Sequence, residues 1–244
     1  MIAGRIGAGC VGILPIKEES QRVPFKNFAP LGGEPMWIWA LRSLAQVPAL
    51  DYIVVNTDAP DRIRPYLESF DFGKDIVLQV RGDLARGVST PMNAVLADVL
   101  SKYAADVYLQ THATSPFARP ESFARALETL ARDRSDCVVA VQELRERFWD
   151  AAFEPLNHDP AELLQTQDLP PVYVETSTFY AFTLESFHKH GNRIGARRSF
   201  VPVSPLEAMD VDTLQDFAAA NLVAFGMLAE TEAGRKMLAK LTAG

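Results

Sequence analysis

The chain has little cysteine and no long hydrophobic run. Its 244 residues include 2 cysteines, Cys10 and Cys137, which are too few for a disulfide framework and match no metal-ligand spacing. No apolar run approaches the ~20 residues of a membrane-spanning helix, and the stretch 1–12 contains Arg5 but no hydrophobic export segment. These absences predict two ordinary thiols in a soluble, cytoplasmic protein that does not bind membranes.

An excess of positive charge is also missing. The formal net charge is −7, from 24 basic and 31 acidic residues, and this excludes an extended surface for nucleic acid. Any anionic ligand must therefore be held by a local cluster of cations. With 48% hydrophobic and 23% charged residues, the composition fits one large α/β domain, which we place over residues 1–244.

A glycine pattern near the start, Gly7 to Gly12, matches GxGxxG but has the wrong context. That fingerprint must follow a strand and open a helix, whereas here it precedes the first apolar run. We interpret it as a flexible lead whose match to a dinucleotide-binding turn is accidental.

The most informative stretch begins with the apolar run from Val11 to Ile16. This run is long enough for one buried parallel strand, and it ends in a polar loop of cations and hydroxyls. Ligands of open α/β sheets bind beyond the carboxyl ends of strands, so the loop is typical of a triphosphate site. A solvated charged turn is the alternative. The loop side chains that would contact phosphate are Lys17, Ser20, Arg22, Lys26 and Asn27.

The segment LPIKEESQRVPFKN, from Leu14 to Asn27, resembles the PARxxSKRxPxKN signature of the CMP-sugar synthetases, which include acylneuraminate and 3-deoxy-manno-octulosonate cytidylyltransferases. Lys17 stands where the family has Arg, and Gln21 replaces a frequent Lys, a loss that Arg22 would offset. The resemblance implies catalytic roles for Lys17, Arg22 and Lys26. It also implies nucleotide binding by Leu14, Pro15, Ile16, Lys17, Ser20, Arg22, Lys26 and Asn27.

Further motifs follow in the family's order. RGDLARGVSTP keeps an Arg and a Thr-Pro pair of the family's RPxxLASDxTP, so Arg81 is expected to recognise cytosine and Thr90 to contact the nucleotide. His112 precedes the Thr-Ser-Pro core of LQPTSPLR at the usual Gln position, and it too is assigned to the nucleotide. Asp58, which ends the second strand segment, is interpreted as the N-cap of a following helix rather than as a catalytic group.

Paired carboxylates occur late in the chain, in the sequence DVDT. Carboxylates one residue apart can chelate a hard divalent cation against a triphosphate, so we predict a Mg²⁺ site at Asp210 and Asp212. The family's DIDT stands at the same place. The helix that follows is expected to pack Leu214, Phe217, Leu222 and Phe225 on one face.

Between Glu143 and Val172 the periodicity weakens. In the family this region protrudes and reaches a second subunit, so residues 143–180 are expected to form a dimerisation and acceptor flap of a homodimer. Thr166 falls where sialic-acid enzymes carry a substrate-binding Arg, which argues against N-acetylneuraminate as the acceptor. The residues expected to bind the acceptor are His112, Gln167, Tyr173 and Glu175.

The resemblance implies an α/β fold: a mostly parallel, Rossmann-like sheet flanked by helices, with a small dimerisation flap. The first hypothesis for function is transfer of CMP from CTP to an acidic 3-deoxy-ulosonic or nonulosonic sugar acid, with Mg²⁺ and release of pyrophosphate. Transfer to a small phosphonate is the second. A metal-dependent glycosyltransferase and a nucleotide-binding protein without turnover are kept as alternatives.

Overall fold

The computed structural model describes residues 9–20, 22–87 and 90–232. Part of the glycine pattern and Gln21 lie outside the described residues. The strands are β1 (Cys10–Ile16), β2 (Pro30–Leu31), β3 (Glu34–Pro35), β4 (Tyr52–Thr57), β5 (Ile76–Val80), β6 (Val107–Thr111), β7 (Cys137–Leu144), β8 (Val172–Thr183) and β9 (Arg198–Pro202). The helices are α1 (Met36–Ala45), α2 (Pro60–Ser69), α3 (Met92–Leu100), α4 (Pro120–Asp133), α5 (Leu184–His190) and α6 (Leu214–Ala229).

Among these elements, seven strands form one sheet in the order β5-β4-β1-β6-β8-β7-β9. β8 runs antiparallel to both of its neighbours, and the other pairs are parallel. This confirms the predicted mostly parallel α/β sheet. Because β1 lies between β4 and β6, the loops that follow these three strands share one edge of the sheet.

Helices cover both faces of the sheet, which explains why the strands read as continuous apolar runs. On one face, Trp37 of α1, Ile63 of α2 and Phe123 of α4 belong to the larger core cluster. On the other face, Leu96 of α3 and Phe187 of α5 pack against the sheet. The sequence analysis did not predict α5, a short helix whose first turn is capped by the preceding Thr183 hydroxyl.

The closing helix packs differently from the prediction. In α6 the buried residues are Ala220 and Ala224, whereas Leu214 and Leu222 are exposed. Phe225 is exposed as well, so the inward packing predicted for these three residues was wrong. Thr213 caps the helix through a reciprocal capping box with Asp216, and this fixes where the chain leaves the Asp210–Asp212 segment.

The predicted flap corresponds to the paired ends of β7 and β8 and the segment that joins them. The two strands pair from Val141 to Leu144 beyond a register irregularity, and residues 145–171 between them contain an isolated bridge and a short 3₁₀ turn. Residues 176–180, at the end of the predicted flap, lie in the central sheet instead. No helix in the described ranges is both long and apolar enough to cross a membrane.

Candidate active site

A cleft of about 350 Å³ opens at the carboxyl ends of β1 and β6. It collects side chains from segments far apart in the sequence, because the parallel strands all end at this edge. The lining residues are Pro15, Lys17, Ser20, Arg22, Lys26, Asn27, Arg81, Gly87, Thr90, Met92, Val95, His112, Ala113, Thr114, Ser177, Asp210 and Asp212.

The loop after β1 is tied to itself. Asn27 Nδ2 donates to the backbone oxygen of Lys17 at 2.8 Å, so the two ends of the loop are joined. Phe25 adopts a left-handed conformation with φ of 53°, and a 3₁₀ turn over Lys26–Phe28 follows it. This sharp turn brings the buried Lys26 into the cleft beside the exposed Arg22. The loop therefore buries the Lys26 cation in the cleft, whereas Arg22 remains exposed to solvent.

Asp212 is the partner of those cations. Lys26 Nζ lies 2.8 Å from Asp212 Oδ1, and Arg22 Nη1 donates to Asp212 Oδ2. Partial burial opposes ionisation of Asp212, but the hydrogen bond and charge of Lys26, with those of Arg22, hold its pKa below the ordinary value. A charged carboxylate and two cations thus bridge the cleft between its first loop and the DVDT segment.

Asp210 is held differently. Its Oδ2 accepts a hydrogen bond from Ser177 Oγ at 3.1 Å, and its Oδ1 is buried with no hydrogen-bond partner among the described residues. A buried carboxylate oxygen without a partner is costly and suits a cation ligand. No group of three or more metal-ligating side chains occurs in the part of the chain that the structure describes. Two carboxylates with phosphate and water are a donor set that Mg²⁺ accepts.

Arg81 forms the inner wall. Its backbone N–H donates to Thr57 at 2.8 Å, and its Nε donates to Asn56 Oδ1 at 2.6 Å. Burial lowers the pKa of Arg81, which the charges of Asp58 and Asp98 oppose. Asp98 also accepts from the backbone of Gly82, so it fixes the turn after β5. These contacts hold the Arg81 guanidinium in one position.

The predicted role of Asp58 as a helix N-cap was wrong. The N-cap of α2 is Ala59, and no side chain caps the helix. Asp58 Oδ1 instead accepts the backbone N–H of Glu18 at 2.8 Å, and its Oδ2 lies 3.9 Å from Arg81 Nη1. Asp58 therefore links the loop after β1 to Arg81.

His112 lies where β6 ends, against Arg193. Burial and the neighbouring Arg193 lower the pKa of His112 to about 3, although Asp212 acts in the opposite direction. The imidazole is therefore neutral near pH 7. Arg193 Nη1 lies 3.3 Å from His112 Nε2. Since a guanidinium only donates, this contact places the ring proton on Nδ1.

The sequence profile of the cytidylyltransferase family matches residues 11–224, which is most of the chain. The chain belongs to the cytidylyltransferase family. All the cleft-lining residues fall within the matched range.

Among similar proteins, N-acylneuraminate cytidylyltransferase of Oncorhynchus mykiss is 24% identical over 83% of this chain and 47% of its own length. The 3-deoxy-manno-octulosonate cytidylyltransferase of Colwellia psychrerythraea is 25% identical over 69% of this chain and 58% of its own length. The chain thus spans about half the length of these two curated relatives. A CMP-N,N'-diacetyllegionaminic acid synthase of Legionella pneumophila, 25% identical, is matched over 85% of this chain and 93% of its length.

Solved structures support the same fold. A CMP:2-keto-3-deoxy-manno-octonic acid synthetase in complex with CTP has a TM-score of 0.62 and 19% identity, covering 92% of this chain and 100% of its own. A 4-diphosphocytidyl-2C-methyl-D-erythritol synthase of Anaerococcus prevotii has a TM-score of 0.63 and 16% identity, covering 88% and 96%.

Most of the residues predicted for the nucleotide in this cytidylyltransferase fold do meet in the cleft, but two do not line it. Leu14 and Ile16 are fully buried, and their side chains pack in the core on the α1 side of the sheet. Only Pro15 of the strand lines the cleft. The predicted contacts of Leu14 and Ile16 are therefore limited to their backbone atoms, because alternate residues of a central strand face opposite helices.

The four predicted acceptor residues do not form one group within a single chain. His112 lies in the cleft, and Glu175 is linked to it through Tyr180 and Arg193. The Tyr173 hydroxyl donates to Glu143. Tyr173 lies about 20 Å from Tyr180 along β8 at the usual rise per residue. Gln167 is exposed on the projecting segment and bonds Gln165. Any acceptor contact by Tyr173 or Gln167 stays a prediction that requires a second subunit.

The sequence analysis missed several residues that shape this site. Arg193 gave no signal because it follows an unpredicted helix and matches no motif. Asn56 and Asp98, which hold Arg81, were not singled out, although a polar Asn at the end of an apolar strand was a usable sign. The unpredicted lining residues are Gly87, Met92, Val95, Ala113, Thr114 and Ser177.

Proposed function

We propose that this protein is a CTP-dependent cytidylyltransferase that transfers CMP to an acidic acceptor and releases pyrophosphate. The observation that carries the proposal is the shared cleft: the cations Arg22 and Lys26, the carboxylates Asp210 and Asp212, and the buried Arg81 all line it. This is the set required to bind a triphosphate with its metal at one end and a base at the other.

The reaction needs positioning and charge neutralisation more than covalent chemistry. A nucleophilic oxygen of the acceptor forms a bond to the α-phosphorus, the bond from that phosphorus to the bridging oxygen breaks, and pyrophosphate leaves. Lys17, Arg22 and Lys26 neutralise the charge that develops on the phosphate oxygens. Asp210 and Asp212 are the residues that would hold Mg²⁺, which supplies further neutralisation of the triphosphate.

Arg81 is suited to recognition of cytosine. Its guanidinium can donate to the O2 and N3 acceptors of cytosine, whereas N3 of uracil carries a proton. Because Asn56 and Asp58 hold the side chain, the donors are positioned in advance and little rotamer freedom is lost on binding.

The acceptor class that we rank first is a 3-deoxy-ulosonic or nonulosonic sugar acid. Relatives named for N-acylneuraminate, 3-deoxy-manno-octulosonate and diacetyllegionaminic acid support this rank. A small phosphonate is the second candidate, because the exposed Thr166 provides no cation for a sugar carboxylate. Cytoplasmic location stays a prediction from the two free cysteines, Cys10 and Cys137.

A homodimer is part of the proposal. The segment 145–171 exposes Trp149, Phe153, Leu156 and Leu163, the last being 88% exposed. Several large apolar side chains on one projection are typical of an interface. A second copy is the expected partner, since Tyr173 and Gln167 reach an acceptor only across such an interface. Light scattering after size exclusion tests this, and a monomer at micromolar concentration would contradict it.

The catalytic proposal is tested by offering the protein CTP, Mg²⁺ and a panel of acids: N-acetylneuraminate, 3-deoxy-manno-octulosonate and 2-aminoethylphosphonate. Pyrophosphate release and the mass of the CMP conjugate are measured together. We expect a conjugate with a sugar acid, dependence on the metal, and a preference for CTP over UTP. Binding of CTP without any conjugate would favour a non-catalytic nucleotide-binding protein, and a conjugate with the phosphonate alone would reverse the ranking.

A further inference from the structure

A second arginine, Arg193, is half-buried behind the cleft. Arg193 follows α5, and its backbone N–H donates to Asn93 of α3 at 3.4 Å. Its guanidinium lies flat on the ring of Tyr180, with 3.5 Å between the central carbon and the ring centroid. Nη1 donates to Gln110 Oε1. The side chain is therefore fixed by an aromatic face and an amide before any ligand binds.

Arg193 has no ion pair with a carboxylate among the residues that the structure describes. Within the described ranges, no carboxylate oxygen lies within 4.0 Å of the Arg193 guanidinium, whereas Arg81 has Asp58 at 3.9 Å. The nearest acidic group in its network is Glu175, which accepts the Tyr180 hydroxyl at 2.7 Å and acts on Arg193 from farther away. A half-buried guanidinium without a contacting carboxylate is well placed to bind a ligand that supplies the negative charge.

The cleft reaches Arg193 through His112. His112 lines the cleft, and its Nε2 lies 3.3 Å from Arg193 Nη1. Because the His112 ring is neutral, the positive charge at this end of the cleft is that of Arg193. An anion that enters the cleft beside His112 would therefore be next to the Arg193 guanidinium.

We propose that Arg193 binds the carboxylate of the acceptor, in place of the arginine that is missing at position 166. The inference rests on the proposed function and adds the group that selects an acidic acceptor. A planar carboxylate matches the flat, two-pronged guanidinium fork. Arg193 is then a specificity residue on the acceptor side of the cleft, separate from the triphosphate cations Arg22 and Lys26.

The test compares Arg193→Gln and Arg193→Lys with a control, Arg197→Gln. Arg197 lies four residues away, is exposed, and pairs with Asp136. The probes are 3-deoxy-manno-octulosonate, its methyl ester and 2-aminoethylphosphonate. We expect Arg193→Gln to raise the KM for the acid about 10- to 100-fold, the range for loss of a charge-assisted contact. The KM for the ester and the affinity for CTP should stay within about twofold of wild type, because neither involves this contact.

Arg193→Lys should recover only part of the affinity, since an ammonium keeps the charge but loses the fork. Unchanged CTP affinity and an unchanged melting temperature show that the variants are folded. An equal loss for the acid and its methyl ester would overturn the inference, because it would indicate a merely structural role. Dependence on Arg193 for the phosphonate alone would overturn the carboxylate assignment.

A binding measurement separates this inference from the proposed function. The Nε–Hε signal of Arg193 is followed by NMR, without nucleotide, while the acid or its methyl ester is added. A shift with the acid but not with the ester supports the anion site, even if the wild type releases no pyrophosphate and the proposed function fails. No shift at a saturating concentration of the acid overturns the inference, even if transfer is observed.

Discussion

Replacing Lys26 with methionine should change metal binding and catalysis in opposite directions. In the nucleotide-free protein the Lys26 ammonium lies 2.8 Å from Asp212 Oδ1, an oxygen that a divalent cation would need. Lys26→Met removes this competitor, so Mn²⁺, used as a probe for Mg²⁺, should bind more tightly. The same change removes a cation from the triphosphate, so transfer of CMP should slow.

The burial of the two partners sets the magnitude. The Lys26 side chain is 6% exposed and that of Asp212 is 43% exposed, so their interaction lies between that of a surface ion pair and a buried one. We take about 1–2 kcal/mol, which corresponds to roughly 5- to 30-fold tighter Mn²⁺ binding. Loss of a charge-assisted contact of about 1.5–3 kcal/mol should lower kcat/KM for CTP by about 10- to 150-fold.

The assay is a Mn²⁺ titration followed by electron paramagnetic resonance, together with pyrophosphate release. Methionine fits the buried slot because it matches the aliphatic stem of lysine, so the melting temperature should change little. Lys189→Met is the matched control, since it makes the same change of charge at the opposite edge of the sheet. Unchanged or weaker Mn²⁺ binding by Lys26→Met would refute the competition between the ammonium and the metal.

Asp210→Asn should weaken Mn²⁺ binding and slow transfer by at least about tenfold, because it removes the carboxylate charge at an oxygen that lacks a protein partner. Arg81→Lys should narrow the ratio of kcat/KM for CTP over UTP, and an unchanged ratio would exclude Arg81 from base recognition. His112 has a pKa near 3 when folded and about 6.5 when unfolded, so the unfolded chain binds more protons between these values and stability falls as pH drops through this range. The melting temperature of His112→Gln should therefore fall less than that of wild type when the pH is lowered from 7 to 4.

Much of the fold was predictable because the apolar runs are continuous. The run predicted as the first strand, Val11 to Ile16, matches β1 to within one residue, because a buried parallel strand needs apolar side chains on both faces. The direction in which α6 packs was not predictable from its leucines. A small-residue face, Ala220 and Ala224, lets the helix approach the body of the protein closely, and the larger side chains are left outside.

In the candidate site, too, some residues could be predicted from the sequence and others could not. Motif residues at strand ends, such as Arg81 and His112, could be placed from the sequence because the topology brings strand ends together. Their partners could not, because hydrogen bonds such as Asn56 to Arg81, or Arg193 to Gln110, join residues 25 and 83 positions apart with no motif to mark them. Such contacts depend on side-chain packing rather than on local pattern.

The pairing of cations with carboxylates inside the cleft explains how an acidic chain can present a site for a polyanion. Without ligand, Asp212 pairs with both Lys26 and Arg22, so the buried ammonium is not left uncompensated. In our proposal, a triphosphate arriving with its metal exchanges partners: the cations turn to phosphate and the carboxylate to the metal. In this exchange Lys26 has a partner of opposite charge at both stages, Asp212 before binding and phosphate afterwards. Arg193 differs because no carboxylate contacts it in the described residues, and for that reason the acceptor's own charge has a place to bind.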